Sequence, residues 1–424
     1  MNNVSDIFVV VRAFGSAVAN FWWAIFPIAF FYIFKLLWID YVAVYMPGSW
    51  LTSPKWTVLE VFPPREIEKG PKLMESFFTG LTGVLTTFDV LAEYTKGAFW
   101  HDRFSMELVG EEGKIHFYIR TQKKHRNMVE AQIYAQYPDA EIVEVEDYTQ
   151  KFPKIIPNRN WDLWGSDFDF VGPAPYPIKT YDKFEETVTG EMIDPMAATT
   201  EVLGTLGPGQ HIWLQYVLQP LPEGWNLDKA QKAVLDKLTG RTAVESLGLG
   251  GHLLDVFSNL WAGLFAPVEF KTTPKKEEAP LEFRLSPMEK ERLKAVEENL
   301  GKNSFKTKMR LVVLGRRETF DKAKVSAFVG SLKQFNDINF NQFKPENVSK
   351  TYASDKIFAE RRIAFRQRKI YDRYRRRNMD GALMVFSTKE LATLYHFPDM
   401  GVKSPAIIRT ESKLGAAPAN LPVE

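Results

Sequence analysis

An uncharged, strongly apolar run of residues lies near the start of the chain. Between Arg12 and Lys35 there are 22 residues without a charged side chain, and a helix of that length spans about 33 Å, enough to cross the hydrocarbon core of a bilayer. The run predicts a transmembrane helix over Ala13–Phe34, with a cleaved signal peptide or a buried core helix as the alternatives. The predicted anchor side chains are Phe21, Trp22, Trp23, Phe26, Pro27, Phe30, Phe31 and Phe34.

Basic residues are distributed unequally around this run. Arg12 is the basic residue before the run, whereas the basic residues that follow it are Lys35, Lys55, Arg65, Lys69 and Lys72. By the positive-inside rule, this asymmetry predicts a single-pass anchor within residues 1–46 at a cytoplasmic (inner) membrane, with the bulk of the chain in the cytoplasm.

The periodicity of apolar positions changes after the anchor. Residues 47–99 read as a proline-rich connector followed by an amphipathic helix. Period-two alternation and helical spacing then predict a first ββαβ module, with an aromatic loop, within residues 100–205. Its predicted elements are a strand at 103–109, a turn at 110–113, a strand at 114–120, a helix at 123–137 and a strand at 140–145.

A second copy of this order occupies residues 206–345. Its predicted elements are strands at 211–218 and 306–314, a helix at 319–335 and a strand at 336–343, with an insertion at 219–305. We therefore expect an α+β fold in which an N-terminal transmembrane helix is followed by tandem ferredoxin-like ββαβ modules with a long insertion in the second. Residues 346–424 are predicted to form a basic helix and a C-terminal linker.

The insertion contains two different segments. Residues 247–265 place their apolar side chains on one helical face, which favours a helix that covers the sheet, with an interfacial or partner-docking helix as the alternative. Residues 271–280 have the charged, proline-bearing composition of a linker.

Composition excludes several kinds of chemistry. The 54 Lys and Arg residues nearly balance 52 Asp and Glu residues, and the absence of cysteine rules out thiol catalysis, iron–sulfur clusters and cysteine zinc sites. No G-x-x-x-x-G-K-[ST] motif is present, and the six histidines lack the spacing of metal ligands. We therefore predict no catalytic residue, no metal site and no cofactor. The aromatic segment 161–181 is predicted to be a rigid loop, with a peptide-binding groove as the alternative.

One cluster of positive charge stands out near the C-terminal end. Its nine basic residues, set against Glu360 and Asp372, are Arg361, Arg362, Arg366, Arg368, Lys369, Arg373, Arg375, Arg376 and Arg377. With interleaved aromatic side chains, such a cluster can bind the phosphates of nucleic acid or of anionic lipid headgroups. The alternative is a basic helix that is solvated on one face and packed on the other.

Two passages, at 104–148 and 386–424, resemble a known family. They are FSMELVGEEGKIHFYIRTQKKHRNMVEAQIYAQYPDAEIVEVEDY and FSTKELATLYHFPDMGVKSPAIIRTESKLGAAPANLPVE. They are similar to the membrane-anchored N-terminal region of DNA-transfer ATPases of the type IV secretion and conjugation class. The resemblance implies that the segment before the motor matches Glu390, Leu391, Leu394, His396, Phe397 and Pro398 here.

The chain departs from this family because the Walker motifs and the motor are absent, so that the motor is expected to be encoded separately or the chain to be a fragment. The resemblance implies a non-catalytic, membrane-anchored platform for a DNA-translocating ATPase, with further copies of the chain, the membrane and nucleic acid as partners. The alternatives are an anchored nucleic-acid or anionic-lipid binding module without a motor, and a membrane-bound enzyme that uses the 161–181 segment.

Overall fold

The structure, a computed structural model, describes the chain in several stretches. These are residues 16, 20, 23, 26–27, 29–38, 55–67, 70–85, 102–184, 193–222, 234, 285–352, 358–402 and 406–410. The chain separates into two compact units, of which the first comprises residues 1–56, 86–102 and 122–124, and the second comprises the remainder. The predicted 247–265 helix and 271–280 linker lie outside the described residues.

The transmembrane prediction is wrong. Among the described residues, no helix is long and apolar enough to cross a membrane. Of the predicted anchor side chains, Trp23, Phe26, Pro27, Phe30, Phe31 and Phe34 are exposed in this unit, and Phe21 and Trp22 lie outside the described residues. The single-pass topology and the placement at a cytoplasmic membrane rested on that helix and are withdrawn with it.

The second unit is built from two successive halves with a β-α-β-β-α-β order, and the second half has one additional helix between its second and third strands. The first half consists of β1 (Trp56–Phe62), α1 (Gly70–Leu81), β2 (Phe104–Glu111), β3 (Lys114–Gln122), α2 (Arg126–Gln136) and β4 (Glu141–Val145). The second consists of β5 (Trp161–Phe170), α3 (Ala197–Gly204), β6 (Gln210–Pro220), α4 (Pro287–Leu300), β7 (Ser304–Arg316), α5 (Lys322–Leu332) and β8 (Phe343–Pro345). Three further elements follow, α6 (Ala359–Arg376), β9 (Met384–Ser387) and α7 (Thr388–Leu394).

The strands join into one sheet. Within the described residues this sheet has nine strands in the order β4-β1-β3-β2-β6-β7-β5-β8, with β9 beside β7. Each half therefore has the strand order of a ferredoxin-like unit. The halves meet where β2 pairs antiparallel with β6, with Leu108 opposite Leu214.

The predicted fold class therefore needs a second correction. The prediction of two ββαβ modules is wrong because each half begins with an additional strand and helix, and because both halves share one continuous sheet. The segment predicted as an aromatic loop contains β5, and the predicted strand at 336–343 forms only at Phe343–Pro345. Three aspartates within β5, at 162, 167 and 169, are typical of turns and hide the strand pattern.

Alternation along the central strands gives the sheet two different faces. Leu108, Leu214 and Leu311 belong to a large apolar core beneath α1, α2, α3, α5 and α7, which we call the helix-covered face. The residues next to them along each strand point to the opposite face, toward α6 and the loop at 147–157. There they form a second core that includes Trp213 and Tyr374. Because both faces are covered, β2, β6 and β7 are buried nearly throughout.

Two features bring α6 and the edge of the sheet together. A side chain in place of Gly165 would lie 3.0 Å from Ile370 of α6, so that glycine permits the close approach of helix and strand. The outer edge of β5 is covered by the turn at 346–352, where the Thr351 amide donates to the Gly165 carbonyl at 3.0 Å and the Glu346 amide donates to the Asp167 carbonyl at 2.8 Å.

Candidate functional site

Helix α6 carries the predicted basic cluster and lies on the second face of the sheet. Its buried side chains, Gln367, Ile370, Tyr371 and Tyr374, recur at helical spacing and face the strands. The helix ends at Arg377, whose backbone is left-handed with φ 50°, and the Arg377 amide donates to the Tyr374 carbonyl at 3.1 Å.

Beneath the end of α6, one residue from each of four neighbouring strands forms a buried line that we call the polar row. Its members, in adjacent register, are Glu107, Gln215, Arg310 and Asp167. The Gln215 amide donates to Glu107 at 3.0 Å, and the Arg310 guanidinium donates to Gln215 at 3.3 Å and to Asp167 at 2.7 Å. Cross-strand pairing therefore places a carboxylate at each end of the row.

The carboxylate of Glu107 is held by Arg377. The Arg377 guanidinium donates two hydrogen bonds to Glu107, at 2.9 and 3.0 Å, and also binds Asp147. Burial by itself raises the pKa of Glu107, but the nearby Arg377 charge and the donors Ser105 and Tyr148 bring that pKa below its ordinary value. The pKa of Arg377 is raised because its carboxylate partners outweigh the desolvation that opposes its charge. Such a bidentate pair is directional and fixes where the helix ends.

The carboxylate of Asp167 is surrounded by cations. Lys308 lies 3.2 Å from it, and Arg373 of α6 lies 3.7 Å from it. The Arg310 guanidinium also donates to the backbone carbonyls of Arg373, at 2.8 Å, and Asn378, at 3.1 Å. These carbonyls lie at the negative end of the helix dipole, so a buried arginine stabilises the C-terminus of α6.

Aromatic side chains fill the space beside the polar row. The Tyr148 hydroxyl donates to Glu107 at 2.8 Å and lies 2.7 Å from the Tyr374 hydroxyl. The Trp213 ring packs at centroid distances of 5.3 Å from both Tyr148 and Tyr374. Helix α6 is therefore held by packed aromatic rings as well as by ion pairs.

The nine predicted basic residues have three different environments. Arg377 is buried in the ion pairs just described. Arg366, Arg373 and Arg375 are partly buried, and each binds another part of this chain: Arg366 donates to the carbonyls of Lys350 and Tyr352, and Arg375 donates to the Lys154 carbonyl at 3.4 Å. The remaining five are exposed, and together with exposed Phe365 they form what we call the outer face of α6: Arg361, Arg362, Arg368, Lys369 and Arg376.

Most charges of the outer face are uncompensated. Arg376 pairs with Asp372 at 2.9 Å, and Arg361 lies 5.4 Å above the Phe358 ring. Within the described part of the chain, Arg362, Arg368 and Lys369 have no ion-pair partner. The outer face is therefore a stripe of cations, with one exposed ring, that is free to contact an anionic partner.

The residues matched to the motor junction are not on the surface. The sequence Glu390–Pro398 forms part of α7 and the turn after it, and all six predicted junction residues are buried in the core of this chain. The Glu390 side chain closes a capping box with Ser387 and accepts from the Ile178 amide at 2.9 Å, and burial raises its pKa to about 7. His396 lies 2.9 Å from Asp194, and Phe397 stacks edge-on with Phe117. In this fold the segment is part of the buried core of the chain.

Two carboxylates on the strands, which could otherwise serve in acid–base chemistry, are bound to other side chains. Asp167 is neutralised in the polar row, and Glu144 accepts from Thr57 at 2.7 Å and binds Arg126. Among the described residues, no group of three His, Asp or Glu side chains is arranged to hold a metal ion.

Sequence reasoning missed the polar row. A signal existed, because Glu107 and Arg310 each stand within a strongly apolar strand, FSMELVGE and SFKTKMRLVVLGR. A charged residue in such a strand predicts a buried partner. The partners themselves are far away in the chain, 270 residues apart for Glu107 and Arg377, and no local pattern indicates that distance.

Comparison with known proteins assigns the chain to a family. Residues 49–410 match a family described as "Domain of unknown function (DUF8128)". No curated protein matches the chain. The family description names no activity or ligand, so the resemblance to DNA-transfer ATPases stays a prediction. Because the match covers most of its length, this chain belongs to the DUF8128 family.

Proposed function

We propose that the outer face of α6 binds nucleic acid through its phosphates and that the protein is a non-catalytic binding module. The observation that carries this proposal is the split of the basic cluster. The arginines near the end of α6 hold the helix on the sheet, while five cations and Phe365 project to solvent.

Rigid support matters for such a surface. A helix that is held by buried bidentate pairs presents its charges in a fixed arrangement, so little side-chain and backbone entropy is lost on binding. The loop at 147–157 extends the positive surface, because Lys154 is exposed and its backbone carbonyl accepts a hydrogen bond from the Arg375 guanidinium. Each phosphate that such cations neutralise releases condensed counterions.

Charge reversal tests the proposal. Arg361, Arg362, Arg368 and Lys369 are changed together to Glu, and binding to a labelled oligonucleotide is followed by fluorescence anisotropy over a salt series. We expect the slope of log affinity against log salt to fall in magnitude by about 3. The matched control reverses four exposed lysines elsewhere, Lys72, Lys114, Lys290 and Lys294, and should retain the slope. An equal decrease of the slope in the two variants would overturn the proposal. Binding of the wild type to anionic lipid vesicles and not to nucleic acid would also overturn it.

A second candidate function is a platform for a DNA-translocating ATPase. It is favoured by the contact between the two passages that resemble that class. Phe117 of the first passage packs against Tyr395 and Phe397 of the second, and the Ile115 amide donates to the Ala406 carbonyl at 2.9 Å. The test is co-purification of the full chain with such an ATPase together with light scattering for self-association. A chain that is monomeric by light scattering and does not co-purify with the ATPase would contradict this candidate function.

A further inference from the structure

A groove runs along α5 next to the covered edge of β5. Its volume is about 390 Å³, within the range of pockets that hold small organic ligands. It is lined by Trp164, Lys322, Val325, Ser326, Val329, Gly330, Lys333, Pro345 and Lys350. One wall is α5, and the other is Trp164 with Pro345 and Lys350.

The charges around the groove have one sign. Lys322 is the first residue of α5 and Lys333 directly follows its last, which separates them by about 16 Å along the helix axis. Lys350 is on the opposite wall. Among the described residues that line the groove, none carries a carboxylate. The shape and charge therefore complement an elongated anion that also carries a flat apolar group able to lie against Trp164.

The groove is connected to the outer face of α6 through the turn at 346–352. Arg366 of α6 donates to the carbonyls of Lys350 and Tyr352, so the groove wall and the helix are bonded to each other. Large rings are exposed along this connection: Tyr352 is 61%, Phe358 is 66% and Phe365 is 65% exposed. Two of these rings lie beneath cations, with Lys350 at 5.8 Å above Tyr352 and Arg361 at 5.4 Å above Phe358.

From this arrangement we infer that the groove and these exposed rings bind single-stranded nucleic acid, with bases on Trp164, Tyr352 and Phe365 and phosphates on the flanking lysines and arginines. The inference rests on the proposed function of α6 and adds a preference for strand type. In a duplex the faces of the bases are occupied by their neighbours, so an aromatic platform interacts only with a strand whose bases are free.

The experiment compares an oligothymidine with a hairpin duplex of equal length by fluorescence anisotropy on the full chain. We expect the wild type to bind the single strand at least about tenfold more tightly. Trp164→Ala and Tyr352→Ala should each reduce that ratio about fivefold or more, with little change in duplex affinity. Because Trp164 also packs on the core, the double variant Lys322→Glu/Lys333→Glu, which changes only exposed side chains, gives a second test with the same expected result. Lys290→Glu/Lys294→Glu is its matched control.

Failure of the inference is distinguishable from failure of the proposed function. If the four α6 reversals abolish binding of both ligands while the Trp164, Tyr352 and lysine variants leave the ratio unchanged, the inference is overturned and the α6 proposal stands. If the wild type binds neither ligand, both the inference and the proposed function are overturned. If polyglutamate competes for the groove and its binding is lost in Lys322→Glu/Lys333→Glu while oligothymidine binding is not, the occupant is an acidic peptide and the inference is likewise overturned.

Discussion

The two faces of the central sheet are buried by different means. On the helix-covered face, leucine, valine, methionine and phenylalanine side chains from β2, β6 and β7 pack against five helices. On the opposite face, the same three strands present Glu107, Gln215 and Arg310, which meet Arg377 and Arg373 of α6. Apolar packing is non-directional, whereas ion pairs and hydrogen bonds specify one position. The comparison teaches that the first face stabilises the fold by apolar packing, whereas the second determines where α6 lies and is costly to disrupt because its charges are buried.

The largest effect is expected from removing Arg377. Arg377→Ala leaves Glu107 and Asp147 without their principal cation in a buried site, so we expect a loss of about 3–5 kcal/mol in the free energy of unfolding. Urea unfolding measures it. Arg377→Lys, which keeps the charge and loses the two-pronged geometry, should cost less. A loss below about 1 kcal/mol for Arg377→Ala, as for an exposed pair, would contradict the role given to the polar row.

A cavity on the helix-covered face should cost nearly as much for another reason. Leu214 is fully buried among apolar neighbours, and Leu214→Ala is expected to destabilise the fold by about 2–5 kcal/mol. Here the penalty should not depend on salt, since no charge is involved. Urea unfolding of Leu214→Ala and of Arg377→Ala at several salt concentrations compares the two faces directly. A marked salt dependence of the loss in Leu214→Ala would contradict the assignment of purely apolar packing to the helix-covered face.

The pH dependence of stability differs between two buried glutamates. The pKa of Glu107 is lowered on folding, so its contribution is present above its unfolded pKa and is lost in acid. Burial raises the pKa of Glu390 to about 7, so the folded state retains this proton when the unfolded state has lost it. Stability should therefore fall as the pH rises from about 4.5 to 7, by about 3 kcal/mol for this group.

Glu390→Gln tests the sign of this effect because glutamine does not titrate. The difference in unfolding free energy, wild type minus variant, should decrease between pH 5 and pH 7 and then stay level. Thermal unfolding across a pH series at constant salt provides the measurement. A difference that increases with pH would show that the carboxylate is stabilised in its charged form by Ser387 and Ile178, which donate to it.

The smallest effect is expected at the surface of the same helix. Arg376 pairs with Asp372, but both side chains are largely exposed, so Arg376→Ala should change the unfolding free energy by less than about 0.5 kcal/mol. Nucleic-acid affinity should nevertheless decrease, because Arg376 belongs to the outer face. Comparing Arg376→Ala with Arg377→Ala therefore separates binding from stability at adjacent positions. A large loss of stability in Arg376→Ala would contradict the expectation that Arg376 contributes to binding and not to the free energy of unfolding.

Local elements were predictable where the pattern was strong. Alternation over FSMELVG and KIHFYIR indicated β2 and β3, and the turn between them was signalled by Gly113, which adopts φ 85°. Strand β5 was not recognised, because its aspartates are typical of turns and its pairing with β7 depends on residues more than a hundred positions away. The apolar run near the start predicted a membrane span from composition alone, and among the described residues no helix is long and apolar enough to cross a membrane.

The sequence by itself determined which segments alternate, where nine basic residues cluster, and which kinds of chemistry are excluded by the absence of cysteine and of a Walker motif. Only the tertiary structure decided which of those basic residues are available. Arg376 and Arg377 are adjacent and chemically identical, yet one is solvated and the other is buried against Glu107 and Asp147. The reason is physical: helical periodicity restricts which residues share a face, but the identity of the buried face depends on charges supplied by strands distant in the chain.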